Sequence, residues 1–378
     1  MASSLGNWGV QSTPCSSYIV PNMQRLLIII LFMTIVPDVI IWKYIFPDIS
    51  WVWKILISLP TIAVLILSIG FDKKRFGYLL RKRIFFGCII LLLPPKMLFA
   101  LVAWPFGWIA GCVAACGLIG VFLYGFLYGW KKLEVKEETF AFDNLPEQFD
   151  DFKIVQISDL HLGSFVPHPE LITHVVDTAN AQQADLIVFT GDLVNYKDEE
   201  ADPFVETLSK LRAKDGVLSI LGNHDYYFKS KVMKKEKEIG WRLLFNEHQR
   251  IQRGGESIYI IGVEQIGKPP FEAKGQLGKA MAGIPSEAFT ILLSHDPSHW
   301  RMEVTGKTNI PLTLSGHTHA AQLKIGHFSP ASLIYSEWSG LYHDSHQMLY
   351  VSHGIGGTIP FRLGAWPEIN VIRLKKKQ

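Results

Sequence analysis

Five short polar motifs follow one another through the C-terminal two thirds of this 378-residue chain: Asp159-Leu160-His161, Gly191-Asp192, Gly222-Asn223-His224-Asp225, Ser294-His295 and Gly316-His317-Thr318-His319. They bring together carboxylate oxygens, an amide oxygen and several imidazole nitrogens, the donor set that hard and borderline divalent cations select. Two such cations about 3.5–4 Å apart clamp both the attacking and the leaving oxygen of a phosphoryl transfer. The chemistry to expect is therefore two-metal phosphoester hydrolysis.

Such a site needs scaffolding, and the residues before each motif supply it. Gln156-Ile157-Ser158, Val188-Phe189-Thr190, Ser219-Ile220-Leu221 and Ile291-Leu292-Leu293 each close a strand-like run that stops where a motif begins. In open α/β sheets, sites form in the crevice beyond the carboxyl ends of strands. Strands are expected over Lys153–Ser158, Asp185–Thr190, Val217–Leu221, Ser257–Val263, Phe289–Ser294, Pro311–Ser315, Leu349–Ser352 and Asn370–Leu374. Helical periodicity marks Pro169–Gln182 and Pro203–Ala213 between the first of these. Alternation in the first half argues parallel βαβ units, and the strand-rich second half a second sheet. Glycines 191, 222 and 316 allow sharp turns and close backbone approach.

The N-terminal third reads differently. Hydrophobic residues make up 48% of the chain and charged ones only 19%, and the apolar excess lies before residue 131. Four stretches, Leu26–Phe46, Trp51–Gly70, Ile84–Ala103 and Phe106–Gly129, fit the roughly 20 residues that a bilayer-spanning helix requires. Pro37 and Asp38 in the first, and its length, argue against a cleaved leader. Basic residues concentrate between the second and third stretches (Lys73, Lys74, Arg75, Arg81, Lys82, Arg83) and just after the fourth (Lys131, Lys132). Positive loops stay cytoplasmic, so both termini and the large C-terminal domain are expected on the cytoplasmic side of an inner or plasma membrane. Asp38 and Lys96 mark a polar path, face neighbouring helices or snorkel; Pro94-Pro95 should kink or split the third helix. Expected boundaries are 1–25 for a cytoplasmic segment, 26–129 for the membrane module, 130–151 for a linker with a leading strand, and 152–378 for the catalytic domain. The net charge of +3 and the lack of an Arg/Lys stripe interleaved with aromatics give no reason to expect nucleic acid. No obligate protein partner is evident. Cys15, Cys88, Cys112 and Cys116 form no CxxC or disulfide framework. The run Lys229–Lys237 and the tail Arg373–Lys377 read as solvated faces or as contacts to anionic lipid.

The ordered set D-x-H, G-D, G-N-H-D, a lone H and G-H-x-H resembles that of the calcineurin-like metallophosphoesterases over residues 152–374. Ile157–Gly163, Ser315–Gln322 and Leu349–Gly357 are similar to the membrane-associated bacterial phosphohydrolase branch. The resemblance implies an α/β (α+β) four-layer αββα sandwich, here preceded by about four transmembrane helices. It implies that Asp159, His161, Asp192 and His319 hold one metal, and that Asp192, Asn223, His295 and His317 hold the other, with Asp192 bridging. The nucleophile would be a water or hydroxide between two divalent ions (Mn, Fe or Zn). His224 would assist the leaving oxygen, and Asp225 would orient the His224 imidazole. The chain departs from the branch at Ala320-Ala321, where two glycines are usual. It departs again at His353, where an arginine is usual; His353 and Gln322 are the candidates for substrate contact. His343 is a further histidine expected near the site. A lipid-linked or membrane-surface phosphate substrate follows from the anchor and the branch together. Two rival readings are a catalytically silent metal-binding module on a membrane scaffold, and a transporter or lipid-binding bundle regulated by the phosphoesterase domain.

Overall fold

Short apolar runs in the C-terminal region pair into two six-stranded sheets, seen in a computed structural model that describes residues 32–68, 78–266 and 274–377. The first sheet contains β1 (Glu134–Phe142), β2 (Lys153–Ile157), β3 (Leu186–Phe189), β4 (Val217–Ser219), β5 (Arg242–Leu243) and the last strand, Glu368–Lys376. The second contains β6 (Glu247–Arg253), β7 (Glu256–Gly262), β8 (Phe289–Leu293), β9 (Leu312–Ser315), β10 (Gly340–Asp344) and β11 (Gln347–Val351). With the last strand as β12, the orders are β1-β12-β2-β3-β4-β5 and β10-β11-β9-β8-β7-β6. β2 through β5 run parallel, as do β7, β8, β9 and β11. The carboxyl ends of β2, β3, β4, β8 and β9 lead into the five polar motifs.

One core fills the space between the sheets, with Phe142, Ile154, Val188 and Ile220 meeting Ile260, Phe289, Ile291 and Leu314. The outer face of the first sheet is covered by Pro169–Ala181, Val205–Leu208 and Lys229–Ile239, through Val175, Leu208 and Val232. The outer face of the second is covered by Leu277–Met281 and the turn Trp300–Val304. These are the four expected layers. The expected helix over Pro203–Ala213 shrinks to one α-turn after a 3₁₀ segment at Asp198–Phe204.

Glu236 on the Lys229–Ile239 helix is fully buried and accepts a hydrogen bond from Ser219 Oγ at 2.6 Å. Burial, reinforced by the Asp225 carboxylate, pushes its carboxyl well above the usual range. The folded state then keeps a proton that the unfolded chain releases near pH 4.3. Stability is full below that pH and falls as pH rises toward the folded value, by about 1.4 kcal/mol per unit. Glu236→Gln keeps an acceptor for Ser219 and removes the titration. The variant should gain on the native protein steadily from pH 5 to pH 9 in denaturation midpoints; parallel curves would refute the buried acid.

Both basic runs are engaged within the fold. Lys229, Lys231, Lys234 and Lys235 pair with Glu264, Asp198, Glu238 and Asp202, and Arg373, Lys375 and Lys377 pair with Asp151, Asp150 and Asp143. These carboxylates offset the charge that would attract anionic lipid.

The N-terminal region is helical: residues 32–40, continued by a π turn at Ile41–Ile45, then Trp51–Ser68, Tyr78–Phe106 and Trp108–Leu127. We number these α1 to α4. Four spans were expected, but among the described residues two helices are long and apolar enough to cross a bilayer, Arg83–Phe106 and Trp108–Lys131. Only 17% of the apolar stretch of each is buried by the rest of the protein, unlike the core helix of a soluble domain. The apolar part of α2, Trp51–Val64, reaches about 21 Å at 1.5 Å per residue, short of a 30 Å hydrocarbon core. The segment 1–25, the start of the first stretch, Cys15 and the basic residues Lys73, Lys74 and Arg75 lie outside the described residues. Pro94 and Pro95 sit inside one continuous helix rather than splitting it. Asp38 and Lys96 form an ion pair, and Thr61 bridges them, donating to Asp38 Oδ2 at 2.9 Å and accepting from Lys96 Nζ at 3.1 Å. A charge that finds its counter-charge inside an apolar bundle avoids most of its desolvation cost. Cys88, Cys112 and Cys116 are free thiols.

Candidate metal centre

Three of the motifs leave their strand ends through backbone turns that few side chains tolerate. Asp159 (φ 52°), His161 (47°), Asp192 (61°), His317 (73°) and His319 (50°) are all left-handed. Such conformations cost a non-glycine residue about 1 kcal/mol or more, and they persist where the surroundings over-determine them. Ala320, Ala321 and Gln322 continue the run at 46°, 49° and 60°. This accounts for the branch's preference for glycine at the first two positions. At Gly222 and Gly316 the constraint is space: a Cβ would collide with the Asp192 carboxylate at the first, and with Ser158 and Asp159 at the second.

The turns converge. His161 Nε2 lies 3.2 Å from His319 Nε2, which lies 3.4 Å from Asp159 Oδ1. On the other side His295 Nε2 is 3.2 Å from Asn223 Oδ1 and 3.3 Å from His317 Nδ1. Asp192 Oδ2 stands between the groups, 3.6 Å from His161 Nε2 and 3.2 Å from His295 Nε2. Asp159, His161 and His319 form one cluster able to hold a cation; Asp192, His295 and His317 form another. All seven residues named from the sequence are thus brought together.

Neighbouring groups aim these atoms. His295 Nδ1 faces the Thr190 carbonyl at 2.7 Å, which turns Nε2 toward the centre. His317 Nε2 meets Tyr335 Oη at 2.9 Å, which turns Nδ1 inward. Asp159 accepts from Ser158 Oγ at 2.5 Å and from the His317 backbone N–H. Arg362, almost wholly buried, donates to the Gly354, Gly356 and Ala365 carbonyls and approaches His319 Nδ1 at 3.5 Å. Tyr335 and Arg362 belong to no motif and were missed. Each is only a lone polar residue in an otherwise ordinary loop.

Electrostatics fit a divalent pair. Burial and the neighbouring His224 drive His161 down to about 3, and burial with His161 lowers His319 well below the histidine range. Burial lifts Asp159 to about 6 despite His295, with Asp192 adding to the rise. Burial opposes a charge on His295, but Asp192 and then Asp159 overcome it, to about 10. Imidazole nitrogens facing one another at 3.2–3.3 Å, beside two buried carboxylates, match the donor set of divalent cations.

The other named residues fall differently. His224 lies beside this centre, its ring edge-on to His161 at 4.7 Å between centroids, with Nδ1 against the Asn195 carbonyl and its backbone N–H donating to Asp192 Oδ1 at 2.7 Å. Asp225 was expected to orient that imidazole. Its carboxylate instead accepts from four backbone N–H groups, those of Asp192, Leu193, Val194 and Gly222. The Nδ1 of the ring faces the Asn195 carbonyl. Gln322 spends its amide on the Ile359 and Phe361 carbonyls, and His353 on Ser339 and Glu368. Both expected substrate contacts are therefore occupied in supporting loops. His343 lies exposed on β10.

The family model described as calcineurin-like phosphoesterase matches residues 152–321. An uncharacterized metallophosphoesterase of Bacillus subtilis, YkuE, is 33% identical over 256 residues, 64% of this chain and 86% of that protein. An uncharacterized metallophosphoesterase of Helicobacter pylori is 29% identical over 272 residues, 69% of each chain. A transmembrane protein with metallophosphoesterase domain from Danio rerio is 30% identical over 264 residues, 67% of this chain and 60% of that one.

Proposed function

The chain belongs to the calcineurin-like metallophosphoesterase family, and from that premise we propose that it is a membrane-anchored hydrolase of a phosphomonoester, phosphodiester or pyrophosphate bond in a lipid-linked substrate. The observation that carries the reading is the Asp192 carboxylate, whose Oδ2 belongs at once to the His161 side and the His295 side. In this reading Asp159, His161, Asp192 and His319 hold one divalent cation, and Asp192, Asn223, His295 and His317 hold the second. Mn, Fe and Zn all suit these donors. A bound pair supplies Lewis acidity and makes a nucleophile available near neutral pH. His224, with Nδ1 committed to Asn195, works through Nε2 and hands a proton to the leaving oxygen. Asp225 keeps the Asp192 and Gly222 loops in register.

The lipid assignment rests on the anchor. α3 and α4 touch the loops that carry the site: Arg83 donates to the Gly163 carbonyl and Ser164 Oγ just after His161, and the Arg362 backbone N–H donates to the Gly125 carbonyl. Multi-pass topology with the catalytic domain on the cytoplasmic side follows from the basic loop. The test is full-length protein in detergent, offered bis-p-nitrophenyl phosphate, phosphatidic acid and nucleotide-diphosphate-linked lipids. Metal-dependent turnover with preference for a lipid phosphate supports the proposal. Two bound metals with no turnover of any ester would instead favour a silent module.

A further inference from the structure

The two long apolar helices and a loop of the catalytic domain share one apolar contact. Phe361, Ile359, Leu323 and Leu363 pack with Phe122, Phe126 and Leu118 of α4 and with Phe86, Ile90 and Leu91 of α3. The ring centroids of Phe126 and Phe361 are 4.7 Å apart. Arg83 marks the polar end of α3. At the end of α4, Lys131 lies over Trp130 and Lys132 over Trp366, the basic and aromatic signature of a membrane–water boundary. Counting at 1.5 Å per residue, Phe122 lies about 8 Å from Leu127, where α4 ends, and Leu91 about 12 Å from Arg83. Elements lying in the interface bury their apolar face about 5–10 Å into the headgroup and acyl boundary.

Continuous with this contact is a tight hairpin. Leu323 bridges to Leu363, and Ile325 and Phe328 exchange backbone hydrogen bonds across Gly326. Its tip carries Ile325, 63% exposed, and Phe328, 52% exposed, while Lys324 folds back to Ser339 Oγ. The hairpin leaves the site directly, since Leu323 lies four residues after His319.

We propose that the Leu323–Phe328 hairpin inserts into the lipid leaflet and seats the rim of the metal centre at headgroup level, so that a lipid phosphate enters sideways from the membrane. The occupant of this surface is the acyl region of the bilayer. The inference rests on the membrane placement proposed above and deepens it.

The test uses full-length protein, its four cysteines replaced by serine or alanine, in vesicles of phosphatidylcholine and phosphatidylglycerol. A nitroxide is attached at Phe328→Cys, at Val113→Cys within α4, or at the water-exposed Glu206→Cys. Collisions with oxygen and with a nickel chelate report depth. Position 328 should resemble 113, with nickel collisions about fivefold or more below those at 206, as expected for exclusion of a polar chelate from hydrocarbon. Nickel access at 328 with protection at 113 overturns the hairpin and leaves the anchor intact. Nickel access at both overturns the anchor as well. In a second arm, Ile325→Ser/Phe328→Ser should leave bis-p-nitrophenyl phosphate turnover within about twofold. It should lower hydrolysis of vesicle-borne phosphatidic acid about tenfold where native protein cleaves it, since burial of apolar side chains seats the rim. Equal loss on both substrates would mean the hairpin only supports the fold.

Discussion

Replacing Asp192 with alanine should lower phosphodiester turnover by about 10³-fold or more, the scale of losing a pre-organised charge at a reacting centre, and should reduce bound metal from two ions toward one or none. Among the described residues Asp192 Oδ2 stands 3.6 Å from His161 Nε2 and 3.2 Å from His295 Nε2 at once, so its loss is felt by both halves. His224→Ala supplies the contrast. Its ring is held by Asn195 and stands beside the centre, so turnover should fall about 10²–10⁴-fold through loss of proton transfer while two metals remain bound. Substrates with good leaving groups, such as p-nitrophenolate, should be the least affected. Metal analysis beside steady-state rates separates the two classes. An Asp192→Ala protein with both metals and native turnover would end the shared-carboxylate reading.

Asp225 should prove the most costly residue for stability near the site and a minor one for chemistry. Its buried carboxylate gathers four backbone N–H groups from two loops, and burial with Asp192 nonetheless pushes it up to about 7. Asp225→Ala strands those donors, and each buried donor left unsatisfied costs about 1–3 kcal/mol. A loss of about 3 kcal/mol or more lowers Tm by about 6–12 °C in a domain of this size. Asp225→Asn retains one acceptor oxygen and should lose roughly half as much. Were Asp225 orienting the imidazole, Asp225→Asn would shift the pH–rate profile while leaving Tm unchanged. The hydrogen bonds require the reverse: a lowered Tm with the profile in place.

How far these expectations could be drawn from the residues alone differs by region. The strands were legible because short apolar runs such as Ile154-Val155 and Ile291-Leu292-Leu293 fit a buried sheet, and the glycines at 191, 222 and 316 mark where the chain must turn. The seven proposed ligands were legible because clusters such as Gly222-Asn223-His224-Asp225 and Gly316-His317-Thr318-His319, set after such strands, rarely arise for packing. The membrane module was legible only in outline. Composition marks an apolar stretch, whereas the length of continuous apolar helix decides whether it can span.

Supporting roles were not legible. Nothing in the order of residues says that Asp225 faces backbone amides rather than the next side chain, because that depends on a turn whose geometry is set by loops more than thirty residues away. The same holds for Tyr335 behind His317, for Arg362 beside His319, and for the Asp38–Lys96 pair. The chain by itself determined which chemistry is available, since donor types and strand-end positions are local properties. The tertiary structure decided which atoms face one another and where the site lies against the long apolar helices, because both depend on long-range packing that no local pattern encodes.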